Sequence, residues 1–202
     1  MILMKYLKYR NNLGFTLIEL MVVLGILVTL ASLAVPNYIE ALPKIRAMGA
    51  TRELFTDMQF ARGKAINDNN DYIIAFNTTN NSYSLYNDKD NSYESASCPL
   101  SLDPTELVKT VVIKDKYSGI SFGYVPGNAP EGSGTISSSV TFVPECTDLP
   151  TAIFRPNGTA KTGTVYIKPD EDTSRKDRER AISVAVTGRV KIWKHDGNSW
   201  SQ

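Results

Sequence analysis

Residues 15–35, FTLIELMVVLGILVTLASLAV, carry one ionisable side chain, Glu19, and none from residue 20 onward. Roughly 20 such residues in a helix span about 30 Å, enough to cross a bilayer. Nearly every face of that helix is apolar, so it needs lipid or other apolar helices around it. A charge at the centre of a membrane helix costs about 2.5–3.5 kcal/mol. Glu19 therefore either lies close enough to the end of the run to reach the headgroups, or makes a functional contact.

The flanks decide what kind of segment this is. Lys5, Lys8 and Arg10 precede it, which places the N-terminus in the cytoplasm by the positive-inside tendency and the bulk of the chain on the far side. A secretory signal would end in small residues and a cleavage site beyond the apolar core. Here the glycine that ends the basic segment, Gly14, comes before the core, and the sequence after Val35 continues as PNYIEALPKIRAMGATRELF. Without residues 1–14 the chain holds 19 basic against 21 acidic residues, so a binder driven by bulk positive charge is not indicated.

The stretch GFTLIEL at residues 14–20, between a short basic leader and an apolar helix, resembles the class III signal of type IV pilins and of the pseudopilins of type II secretion. The resemblance implies that a prepilin peptidase cuts after Gly14 and that the new N-terminal residue, Phe15, is N-methylated. It also implies that Glu19 neutralises the terminal ammonium of a neighbouring subunit during assembly. Opposite charges in a poorly hydrated bundle attract strongly, and an unpaired acid is costly there, so such a pair favours one axial register between subunits. The partners implied are other pilin or pseudopilin subunits, the peptidase, an inner-membrane assembly platform and, before assembly, membrane lipid. The location implied is the bacterial inner membrane, single-pass, with the head in the periplasm, and then the filament.

Beyond the apolar run, Pro36 and Pro43 can be absorbed as bends. Ile45, Met48, Leu54, Phe55, Met58 and Ala61 recur at near-helical spacing, predicting an amphipathic continuation whose apolar stripe packs on a head and which ends at the polar cluster NDNND. Strand-like runs follow: YIIAF, YSLY, LVKTVVI, ISFGYV, VTFV, AIFRP, TVYIKP, RAISVAV and RVKIWK. The expected fold is α+β, a long N-terminal helix on a largely antiparallel, β-rich head. The expected divisions are a leader at 1–14, a membrane and assembly helix at 15–35, its amphipathic continuation at 36–67 and the head at 68–202. Cys98 and Cys146 are the only cysteines. They lie in loop-like settings with no histidine nearby, which fits a disulfide outside the cytoplasm better than a metal site.

The C-terminal third, FRPNGTAKTGTVYIK followed by RAISVAVTGRVKIWK, resembles the GspH/FimT type of minor pseudopilin and minor pilin. That resemblance implies a low-copy filament subunit and raises one alternative, DNA binding for uptake during transformation, through a G-R-x-R motif. Here the motif reads Gly188-Arg189-Val190-Lys191, and lysine keeps the charge but loses the bidentate fork. Arg189, Lys191 and Lys194 are the candidate phosphate contacts, with Trp193 and Trp200 for stacking. Period-2 alternation instead makes all three cations the wet face of a strand over an inward Val190 and Ile192. No enzyme is indicated and no cofactor or metal is expected. His195 is the only histidine, expected to be solvent-exposed, and DEDTSRKDRER at residues 170–180 is expected to be a solvated loop.

Overall fold

The computed structural model describes residues 14–90, 93, 102–131, 134–144, 148–171 and 174–202. Helix α1 spans Leu17–Asp68 and includes both Pro36 and Pro43. The chain divides into two units, Met1–Ala41 and Leu42–Gln202. In the first, every described side chain up to residue 40 is exposed.

The second unit holds the head. Its strands are β1 (Asp71–Asn77), β2 (Ser82–Asp88), β3 (Leu107–Val112), β4 (Ile120–Phe122), β5 (Thr151–Phe154), β6 (Gly163–Pro169), β7 (Arg180–Val184), β8 (Val190–His195) and β9 (Trp200–Ser201). They form two sheets, ordered β3-β2-β1-β5 and β4-β6-β7-β8-β9, and every strand pair is antiparallel. The sequence leaves the number of sheets open, because inward and outward alternation reports that a strand has a buried face without saying which sheet it joins.

Two runs depart from expectation. LVKTVVI is strand only to Val112, after which Ile113–Lys116 turns into a short helix, α2. VTFV forms no strand. Val140 makes an isolated bridge to Val165, and Phe142 stacks on Phe76 at 5.7 Å with an interplanar angle of 11°. Phe122 meets the same Phe76 ring edge-on at 5.8 Å. Gly163 makes room for Phe142, since a Cβ there would lie 2.4 Å from the ring.

The helix buries most of the stripe its apolar spacing predicted, with Leu54, Met58 and Ala61 buried and Phe55 packed half-buried on the core, but not its start. Ile45 is 57% exposed and Met48 37%, whereas Ala47, Ala50, Leu54, Met58, Ala61 and Ala65 are buried. These recur three and four residues apart, one face of an α-helix. Because four of the six are alanine, the helix backbone can approach the strands closely, and Leu54 and Met58 fill the space between.

Polar contacts secure that face. Asp57 is buried; its carboxylate accepts from the Tyr83 hydroxyl at 2.6 Å and pairs with Lys109 Nζ at 2.8 Å. One turn earlier, Glu53 accepts from Lys116 Nζ at 2.6 Å and from the Tyr117 hydroxyl at 3.0 Å. Burial pushes the Glu53 carboxyl up, but the Lys116 and Tyr117 hydrogen bonds and the charges of Lys116 and Lys109 outweigh it, and the net shift is downward. Burial and the Asp57 hydrogen bond raise the Tyr83 hydroxyl well above its ordinary value. The two carboxylates thus tie α1 to β2, β3 and α2. Asp57→Ala would leave a buried tyrosine hydroxyl without its acceptor, and we expect a loss of about 2 kcal/mol. A lowered denaturation midpoint of the full chain in detergent micelles, with helix content retained, is the measurement.

Candidate functional site

The N-terminal segment is built for contact with something beyond the chain. Gly14, Phe15 and Thr16 precede the helix, and Thr16 Oγ1 accepts from the Glu19 N–H at 3.2 Å. Thr16 is therefore the N-cap and Glu19 the third helical residue, the spacing of a capping box. The apolar window gives no hint of this, though the T-x-x-E spelling would. Glu19 stands in the first turn, where the helix dipole favours a carboxylate. Behind it the apolar run to Val35 is wholly exposed. Each large aliphatic side chain left in water forgoes about 1.5–3 kcal/mol of burial, so this surface demands lipid or other helices. Lys5, Lys8 and Arg10 lie outside the described residues, as do Cys98 and Cys146 with the disulfide expected of them.

At the other end, Gly188 is where the backbone of the last hairpin meets an earlier turn. Its φ is +71°, and a Cβ would lie 2.2 Å from the Gly158 carbonyl oxygen, so the position requires glycine on both counts. Arg62 of α1 donates to the Thr187 carbonyl at 3.3 Å beside it. The Gly158 and Gly188 turns, 30 residues apart in the chain, thus meet in one contact.

The three candidate cations are not brought together. Lys191 lies on the β8 face that carries Trp193 and His195, where its Nζ pairs with Glu131 at 2.6 Å and sits 5.3 Å from the Trp193 ring centroid. Lys194 alternates to the opposite face with Val190 and Ile192. Arg189 is exposed in the turn before the strand. The single wet strand face expected from alternation is thus split over two faces. The indoles are occupied as well: Trp193 is buried and donates to Ser183 Oγ at 2.9 Å, and Trp200 donates to the Asn128 carbonyl at 2.7 Å.

Sequence comparison adds two matches. Residues 9–35 match the prokaryotic N-terminal methylation motif, and residues 50–188 match the family described as type II transport protein GspH. The chain belongs to the GspH family. No curated protein matches it. Among solved structures, it is similar to the minor pseudopilin EpsH from the type 2 secretion system of Vibrio cholerae, at 10% identity over 79% of this chain and 97% of that one, with a TM-score of 0.48. It is also similar to the type IV minor pilin FimU of Pseudomonas aeruginosa, at 14% identity over 72% of this chain and 90% of that one, with a TM-score of 0.43. This GspH-family chain is a pilin-like subunit of the type II secretion and type IV pilus class.

Two expectations about the GspH-family head are overturned. His195 is buried, not solvent-exposed. Its Nδ1 accepts from the Gly197 N–H at 2.9 Å, and its ring meets Trp200 edge-on at 4.8 Å. Burial lowers its pKa, Lys176 adds to the effect and Asp196 opposes it. The charged run at 170–180 is not solvated throughout, because Glu179 and Arg180 are 1% and 2% exposed. Pairing with β6 and β8 draws this end of β7 into the sheet, which composition does not reveal. The expectation of no metal meets, among the described residues, one gathering of acids: oxygens of Asp88, Asp90 and Glu106 lie within 4.8 Å of one another. Two of these carboxylates already accept backbone N–H groups, from Tyr93 and Lys89.

Glu179 makes the head sensitive to pH. One oxygen accepts from the Val125 N–H at 3.1 Å, and Oε2 is buried without a partner. Burial pushes this carboxyl from 4.5 up to about 7, against the Val125 hydrogen bond and the charges of Lys176 and Lys168. A folded pKa above the unfolded one means stability is present in full below about 4.5 and is lost as pH rises through about 7, by about 3 kcal/mol. The stability gap between Glu179→Gln and the parent should therefore shift in favour of the variant between pH 4.5 and 7 and level off above. Thermal unfolding of both full chains across that range checks it.

Proposed function

We propose that this GspH-family chain is a minor pseudopilin or pilin that is cut after Gly14, carries N-methylated Phe15, and polymerises through its apolar helix with Glu19 facing a neighbour's terminal ammonium. In this reading the chain waits in the inner membrane with its head in the periplasm, and an assembly platform moves it from lipid into the filament. The observation that carries the reading is the wholly exposed apolar segment of α1 with one carboxylate at the fifth residue of the mature chain. In an anchor that charge does no more than close the first helical turn beside Thr16. In a filament it also sets register, because Coulomb attraction in a poorly hydrated bundle discriminates between axial registers more sharply than uniform apolar contact. The DNA-binding alternative draws less support, since Lys191 is paired with Glu131 and Lys194 lies on the other strand face.

Mass spectrometry of the membrane form should find a chain beginning at methylated Phe15; an intact Met1 or a cut beyond Val35 would remove the assignment. Glu19→Ala should insert in the membrane at least as well as the parent, because removing a charge lowers the insertion penalty, yet be lost from sheared filaments. Parent-level incorporation of that variant would sink the proposed role of the carboxylate.

A further inference from the structure

Between α1 and the second sheet, Met48, Thr51 and Arg52 face Arg180, Ile192 and Lys194 across a cavity of about 170 Å³. Three of the six lining side chains are cations. Among the described residues no carboxylate forms an ion pair with any of them. Arg180 and Lys194 are directly opposed in the β7–β8 register, an arrangement in which like charges repel.

Arg180 is the unusual member. It is 2% exposed. Nη1 donates to the Glu179 carbonyl at 2.8 Å and more weakly to the Asp177 carbonyl at 3.4 Å. Nε and Nη2 are buried and have no partner. These two nitrogens share one edge of the guanidinium, the pair of parallel donors that matches both oxygens of a carboxylate. Burial lowers the Arg180 pKa, and the charge of Asp177 offsets only part of that. Asp177 is itself engaged with Arg175 at 3.2 Å. A buried cation with two unmatched donors, set opposite a second cation, is a poor arrangement for a chain alone. It is a favourable one for a chain that receives an anion.

We propose that this cavity is a carboxylate-binding site, and that its occupant is one acidic side chain of a neighbouring filament subunit. Met48 and Ile192 form apolar walls suited to an aliphatic stem, with the charged end directed at Arg180. A phosphate would also find donors in Arg52 and Lys194, but it brings no aliphatic stem to cover Met48 and Ile192. The exposed side chains of Arg52 and Lys194 are the parts of the wall free to swing aside and then close over the acid. The source of the carboxylate rests on the filament reading above; the chemistry of the cavity does not.

The test uses the full chain in detergent micelles, with sodium butyrate as probe, inorganic phosphate as the competing oxyanion and sodium chloride at matched ionic strength. Butyrate should raise the unfolding midpoint saturably at millimolar concentration while chloride does not. Arg180→Met, which keeps the length of the stem, should fold with an equal or higher midpoint and lose the response. Arg52→Gln combined with Lys194→Gln, both exposed, should weaken the response at least fivefold and serves if Arg180→Met does not fold. No saturable response in the parent, or an undiminished one in these variants, overturns the site. Phosphate saturating at lower concentration than butyrate overturns the carboxylate assignment. Parent-level incorporation of folded Arg180→Met into filaments overturns the neighbouring subunit as source, and does so independently of the outcome for Glu19→Ala.

Discussion

The head depends on how closely the second half of α1 can approach its two sheets. Alanines at 47, 50, 61 and 65 leave the helix backbone bare on one face, and side chains from both sheets pack into a single core against it. Larger residues there would push the sheets away and open voids that a packed interior does not tolerate. The same requirement for closeness returns at Gly188, whose backbone touches the Gly158 turn beside Arg62 of the helix. Asp57 and Glu53 add direction to a contact that apolar packing alone leaves free to slide, since each has to meet particular donors on β2, β3 and α2.

Strand β7 concentrates the polar strain of the fold. Glu179, just before it, and Arg180, its first residue, are adjacent in sequence and both buried. The Glu179 carboxylate reaches Val125 on the side where Tyr166 feels its charge, and Arg180 faces the α1 cavity. Each has one part satisfied by backbone and another left unmatched. Two apolar residues would serve stability better at these positions. Arg180 in particular leaves an edge that the proposed carboxylate would finish.

The N-terminal segment makes that point on a larger scale. Its side chains are exposed throughout residues 14–40, and the apolar effect alone drives it into lipid or a helix bundle. What apolar surface lacks is register, since one aliphatic face matches another almost equally well at neighbouring offsets. In the proposed filament a lone carboxylate near the start of the helix supplies it. The matches over residues 9–35 and 50–188 set the apolar helix and the head in one context, that of a pilin-like subunit.

The long helix with its apolar first half and the succession of most strands were legible in the sequence because they depend on local properties: length and hydropathy, period-2 alternation and turn residues. Ile45 and Met48 misled because hydrophobicity ranks side chains by size, while that end of the contact selected Ala47 and Ala50, and alanine carries little signal of its own. His195, Glu179 and Arg180 looked solvated because composition around a residue says nothing about which strands will cover it. The grouping of Arg189, Lys191 and Lys194 failed for a related reason: neighbours in sequence alternate across a sheet, and only the loop carrying Glu131 neutralises Lys191. The sequence by itself determined that this chain has a membrane-length helix with one acid, followed by a β-rich head. Only the tertiary structure decided which helix face is buried, that there are two sheets, and that Arg180 meets Arg52 and Lys194 around one cavity, because each of these is set by pairing between segments far apart in the chain.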